Sequence, residues 1–142
     1  MASGRNGEQG LRLFVADDSD GEWTELTSGD KRAVRLAAPD LQQARRARDR
    51  IRDDVSVILD VTVLVTDDLR SASRWMSAHD AEARLYYAGT LDGLAGLIAD
   101  LFVAGVADGV TLISASTHQD LRALADAALA RIARWLPVAR AA

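Results

Sequence analysis

The sequence predicts a single α/β domain made of four βα units on a parallel sheet. Three observations predict it. "VSVILDVTVLV", Val55 to Val65, alternates cleanly: Val55, Val57, Leu59, Val61, Val63 and Val65 fall on one face of a strand, and Ser56, Ile58, Asp60, Thr62 and Leu64 on the other. Leu94, Leu97, Ile98, Leu101 and Phe102 recur at the i, i+3, i+4, i+7, i+8 spacing of an amphipathic helix. Short apolar runs and helical patterns then take turns along the chain, which implies parallel strands joined by right-handed crossovers.

The elements follow in order. "MASGRNGEQG", residues 1–10, is polar and glycine-rich, has no apolar h-region and reads as a flexible tail. Residues 11–142 are the domain. Leu11 to Ala16 is an apolar run suited to a buried strand, turned by "DSDG". Trp23 to Lys31 is read as a weak helix. Ala33 to Ala37 is a second short strand. Pro39 suits a first helical turn and Asp40 a cap for a helix carrying Leu41, Ala44, Ala47 and Ile51 on one stripe. After the long strand, Thr66, Asp67 and Asp68 can cap a helix from Leu69 to Ser77. "AHDAEARLYY" has no single pattern. Thr90 caps the Leu94–Phe102 helix and Gly105 ends it. "GVTLIS", Gly109 to Ser114, is the last strand. Thr117 and Asp120 resemble a capping box with Asp in place of Glu. Leu121, Leu124, Ala128, Leu129 and Ile132 form the final helix's inner face, and Pro137 stops it.

Bulk properties narrow the function. The 142 residues are 49% hydrophobic and 27% charged, with net charge −4. That balance suits one soluble globular domain and gives no electrostatic reason to expect nucleic acid or an anionic membrane as partner. No apolar run approaches the ~18 residues of a membrane span. The absence of cysteine removes disulfides, thiolate metal sites and thiol nucleophiles. A cytoplasmic location is the expectation, and no metal site is expected.

"LYYAGTLDGLAGLIADLFVAGVADGVTLISAS" resembles the end of the bacterial luciferase-like monooxygenases, TIM barrels that use reduced flavin or the deazaflavin F420. Gly89-Thr90, the Leu94–Phe102 stripe, Ala104-Gly105 and Asp108-Gly109 fit that family's pattern, with Leu91 where its proline stands. "AVRLAAPDLQQARRARDRIRDDVSVILDVTVLVTDD" is similar to its sixth strand and helix and its seventh strand. "LRLFVADDSDGEW" falls where the fifth strand should be. The resemblance spans Leu11 to Leu136 and implies the C-terminal half of a barrel only, since a whole one needs eight strands and ~250 residues. Half a barrel has open edges and an unfilled inner face. A homodimer, or a separate chain supplying the missing half, is therefore expected to complete it.

The resemblance also implies where a site would lie: at the carboxyl ends of the strands, near Ser19, Ala38, Thr66 and Ser114 to Ser116. FMN or F420 is the implied cofactor. In flavin-binding members a small-residue turn after the fifth strand holds the flavin phosphate. Here Ser19 could still donate to it. Asp17 and Asp18 place like charge beside a phosphate, and the family's glycine is missing from the matching stretch Ala16-Asp17-Asp18-Ser19. The cradle reads as damaged, so a non-catalytic relative is favoured over a working oxidoreductase, and no catalytic residue is assigned.

Other readings of single motifs are weaker. A calcium loop with Gly21 in sixth position would put Ala16 first and Thr27 twelfth, where a bidentate Glu is needed. "LFVADDSD" and "VILD" resemble the acidic and phosphoacceptor strands of receiver domains, with Asp60 as acceptor. Ser114 is too distant to be their switch residue, and Lys31 is the only lysine. "DSDGE" resembles the haloacid-dehalogenase "DxDGT" with no lysine downstream. His79 and His118 have Asp80 and Asp120 nearby and could be bases, but solvated surface histidines fit better. The glycines of "AGTLDGLAG" do not follow a strand in the dinucleotide-binding manner. Asp60 either faces the sheet interior with an arginine partner or lies at a bulge. Trp23, Trp75 and Trp135 are expected to pack helices on the sheet. "RRARDRIRDD" is a solvated helix face.

Overall fold

The computed structural model describes residues 10–17, 22–52, 54–79, 84–116 and 119–139. Its strands are β1 (Arg12–Ala16), β2 (Trp23–Glu25), β3 (Arg32–Leu36), β4 (Val55–Val65), β5 (Tyr86–Gly89) and β6 (Gly109–Ser114). Its helices are α1 (Leu41–Arg50), α2 (Leu69–His79), α3 (Leu91–Val103) and α4 (Leu121–Ile132). The α/β class is as expected. The strict alternation of four βα units is not: β1 passes to β3 through a strand, β2, where a helix was read. Trp23, Thr24 and Glu25 pair antiparallel with β1, so the sheet is mixed. A three-residue edge strand is too short to show a period, and its ladder to β1 decides its state.

The sheet order is β2-β1-β6-β4-β3, with β5 also on β4. Ile58 and Leu59 pair with both β3 and β6, and Thr62 and Val63 with both β5 and β6. So β3 and β5 lie end to end along one edge of β4. β3, β4 and β6 lie side by side in that order. β1 lies parallel to β6, the last strand, and not beside β3. Asp108-Gly109 permits the close approach: a Cβ on Gly109 would sit 2.3 Å from the Arg12 carbonyl oxygen.

Three helices, α1, α3 and α4, cover one face. Leu11, Leu13, Leu59, Val61, Val63, Val110 and Leu112 form a single core with Ala44 of α1, Leu94, Ala95, Ile98 and Leu101 of α3, and Ala125, Ala128 and Ile132 of α4. The alternating valines of β4 therefore lie under helices and do not form an unfilled inner face. Caps are where the sequence places them. Asp40 accepts from the Gln43 N–H, Thr90 Oγ1 from Gly93 and Asp68 from Arg70 and Ser71, while Asp120 itself, accepting from Ala123, starts α4. Gly105 has φ +75°, the left-handed stop for α3.

The other face is concave and filled by its own side chains. Phe14, Thr111, Asp60, Ile58 and Arg35 share it through the strand register. Trp23 stacks on Phe14 at 4.3 Å between ring centroids and donates from Nε1 to Thr111 Oγ1 at 2.8 Å. The Arg35 guanidinium lies 6.0 Å from the Trp23 ring. β2 and β3 stand at opposite ends of the sheet order, about 19 Å apart if the sheet were flat. Their side chains meet only because the sheet curls. Trp23 and Arg35 thus fill part of that face from the chain's own sheet.

Candidate functional site

The site follows from the order of the crossovers. The step β3-α1-β4 moves one way across the sheet, and β5-α3-β6 moves the same way. The step β4-α2-β5 moves back. Right-handed crossovers then put α2 on the opposite face from α1 and α3. Packing agrees. α2 gives no residue to the core shared by α1, α3 and α4, and its Trp75 stands edge-on to Tyr86, 5.1 Å between centroids, on the concave side. The chain therefore leaves adjacent strands β4 and β6 toward opposite faces. Such reversals open a crevice at the carboxyl ends of the strands.

The crevice is present. It has a volume of about 580 Å³ and is lined by Leu64, Val65 and Thr66 at the end of β4, Ser71 of α2, Ser116, Gln119 and Asp120 after β6, and Ala123 and Leu124 of α4. Gln119 forms its floor. Its Oε1 accepts from the Val65 N–H at 2.9 Å, and its Nε2 donates to the Val63 carbonyl at 2.9 Å and to Ser114 Oγ at 2.8 Å. The last backbone bond from this loop to β4 is Ala115 N–H to the Val63 carbonyl at 2.9 Å. The Gln119 amide thus stands in for the next rung of the ladder and holds the two strand ends at a fixed separation.

The hydrogen-bond inventory sets the chemistry. Both Gln119 N–H groups are used. Ser71 Oγ donates to Asp68 Oδ2 at 2.8 Å. The first-turn N–H groups of Arg70 and Ser71 go to Asp68 Oδ1, and that of Ala123 to Asp120 Oδ1. Thr66 Oγ1 accepts from the Asp68 N–H at 3.0 Å. The hydrogen bonds from Ser71 and from the N–H groups of Arg70 and Ser71 hold the Asp68 carboxyl below the usual range, with the nearby Arg74 charge adding to them. Both helix N-termini that face the crevice are therefore capped by carboxylates of the chain itself. No lysine, arginine or histidine lines it, and Asp120 is its only titratable side chain among the described residues.

Among the described residues that lining offers a flavin or deazaflavin phosphate no cation, and with the Gln119 and Ser71 protons committed it leaves the Thr66 hydroxyl as a donor, which makes it a poor fit. Thr66 and Ser116, both expected at the site, are brought together in the crevice, and Ser114 anchors its floor. Ala38 is not with them. It lines a separate hollow of about 240 Å³ between the end of β3 and α1. Ser19, Asp18, Asp80, Thr117 and His118 lie outside the described residues. Asp17 is exposed at the end of β1, which is beside β6 and adds negative charge at the same end of the sheet. Gln119, Ser71 and Leu124 are new to the site. The available signal was a glutamine directly before a helix cap, at a strand's carboxyl end.

Asp60 takes the interior alternative. Arg35 Nε donates to its Oδ1 at 2.8 Å. Burial raises the Asp60 pKa above its ordinary value, and the hydrogen bonds and charge of Arg35 with the Thr111 hydroxyl only partly offset that. It sits in mid-strand with 9% exposure, so it is not placed as a receiver's phosphoacceptor, which must meet solvent at a strand end. Trp23 and Trp135 also depart from expectation. Trp23 fills the concave face. Trp135 is 57% exposed in a surface groove with Asp92, Arg131 and Arg134. Only Trp75 packs a helix on the sheet.

No protein-family model matches this chain, and no curated protein matches it. No helix among the described residues is long and apolar enough to cross a membrane, and they contain no cluster of three or more metal-ligating side chains.

Proposed function

We propose that this chain is a non-catalytic binding module, related to the C-terminal half of the luciferase-like monooxygenases, whose ligand site is the crevice between β4 and β6. One observation carries the reading: the crevice lies at the carboxyl ends of parallel strands, where the crossovers reverse, yet the protons of Gln119 and Ser71 and the capped N–H groups of both helices are committed internally. A pocket whose described residues supply no cation and no titratable group besides Asp120 can hold a molecule, and those residues offer no acid–base pair with which to transform one. The curled sheet and the β3-β4-β6 succession support the half-barrel relationship.

Titration with FMN, reduced FMN and F420, followed by fluorescence, tests this. The expected result is no binding up to about 1 mM. Micromolar binding would restore the reading of a flavin- or F420-dependent oxidoreductase.

A second reading keeps a homodimer or partner chain. Leu69 is 74% exposed and Met76 39% exposed on α2, an apolar surface suited to contact. Light scattering at low micromolar concentration decides it, and a stable monomer sinks it.

A further inference from the structure

The crevice has a chemical preference that follows from counting its donors and acceptors, given that it is a binding site at all. Thr66 is the lining side chain that keeps a hydroxyl proton with no acceptor assigned to it, while its oxygen already accepts from Asp68 N–H. The Ser71 proton points to Asp68 Oδ2. Gln119 has given both amide protons to Val63 and Ser114. Acceptors are left over. Gln119 Oε1 takes one bond, from Val65, and a carbonyl-type oxygen can take two. Asp120 uses Oδ1 to cap α4 and keeps Oδ2. Ser71 Oγ retains acceptor capacity.

A ligand that satisfies this surface must bring protons. It must also bring an apolar body, because Leu64, Val65, Ala123 and Leu124 supply the walls. Charge points the same way. The positive ends of the α2 and α4 dipoles are cancelled by Asp68 and Asp120, and no cationic side chain stands in the lining among the described residues. We propose that the crevice binds a small organic cation: an ammonium group directed to Asp120 Oδ2 and Gln119 Oε1, on a hydrocarbon or aromatic body lying against Leu64 and Leu124. The same inventory disfavours phosphates and carboxylates, for which it leaves only the Thr66 hydroxyl proton among the described residues.

This inference rests on the crevice being the binding site, and the test separates the two. Uniformly ¹⁵N-labelled protein is titrated with benzylammonium, benzyl alcohol and benzoate, which share one body and differ in the charge of the head. Benzylammonium is expected to shift the Val65, Thr66 and Ser116 amides and the Gln119 side-chain NH₂ saturably, about tenfold more tightly than benzyl alcohol. Benzoate is expected to leave them unmoved. Asp120→Asn keeps the helix cap, since Asn caps as well as Asp, and removes the charge. It is expected to weaken benzylammonium about tenfold and to leave benzyl alcohol unchanged. Benzoate binding as tightly as benzylammonium, or no effect of Asp120→Asn, overturns the cation assignment. Equal binding of alcohol and ammonium overturns it too while the crevice stands. If none of the three probes moves the crevice resonances, the binding-site reading falls with it.

Discussion

Arg12 and Glu25 are joined by two parallel bonds, Nε to Oε2 at 2.9 Å and Nη2 to Oε1 at 2.7 Å, with both side chains largely buried. Arg12 Nη1 also donates to the Lys31 carbonyl at 2.6 Å, and Glu25 Oε2 accepts from Thr27 Oγ1 and the Gly29 N–H. This one pair ties the connection from β2 to β3 across the amino ends of the strands, and with it the two extremities of the sheet.

Glu25→Gln should destabilise the fold by about 3 kcal/mol at neutral pH, because Arg12 keeps its buried charge without a counter-charge. Burial alone would raise the Glu25 pKa, but the hydrogen bonds from Arg12, Thr27 and Gly29 and the Arg12 charge bring it below its ordinary value of 4.5. A carboxylate with a lowered folded pKa stabilises above the unfolded value and loses that contribution as pH falls through the folded one. The cost of the substitution should therefore shrink in urea titrations at about pH 3 relative to pH 7. Equal cost at both would contradict the assignment.

Asp60 should behave in the opposite sense. Its folded pKa is raised above 3.8, so its contribution is complete below that value and is lost as pH rises through the folded pKa. A ¹³C carboxyl titration should place its midpoint above 3.8. Arg35→Met removes the charge and hydrogen bond that favour the carboxylate, and should push the midpoint higher still. A downward move would show that burial is not the dominant cause.

Gln119→Leu should leave the Val65 N–H without a partner and cost about 1–3 kcal/mol. Hydrogen exchange should accelerate at Val65, while Ala115, bonded to the Val63 carbonyl through its own backbone, keeps its protection. Unchanged exchange at Val65 would mean the ladder does not depend on the side-chain amide.

Gly105→Ala should cost about 1–2 kcal/mol through backbone conformation alone. The residue has φ +75°, and beyond its chain neighbours no atom lies within 4 Å of an added Cβ, so tertiary packing contributes nothing. Thermal unfolding that matched the parent would refute this.

What was legible in the sequence was local. The β4 ladder, the α3 stripe and the Asp40 and Thr90 caps are written in spacings of two to four residues. The strand ends at Thr66 and Ser114 to Ser116 were legible too, because a strand must stop where its alternation stops. The rest depends on partners far along the chain. Trp23 reads as a helical residue until Thr111 and Phe14 are known to surround it. β1 takes its place from β6, and no local pattern states which neighbour a buried strand will choose. Gln119 carries the crevice floor through bonds to β4, invisible to any reading of its own neighbourhood.

The neighbour that β1 chose has a consequence for synthesis. β3, β4, β5 and the helices between them can associate as they leave the ribosome. Arg12 to Ala16 emerge before any of them, yet pair with Gly109 to Ile113, and Leu11 bridges to Val138. Through most of translation the first strand is an apolar segment lacking its parallel partner, shielded on one side only by the β2 hairpin. The chain is then most exposed to capture by chaperones or by other nascent strands, and the fold closes only when β6 arrives.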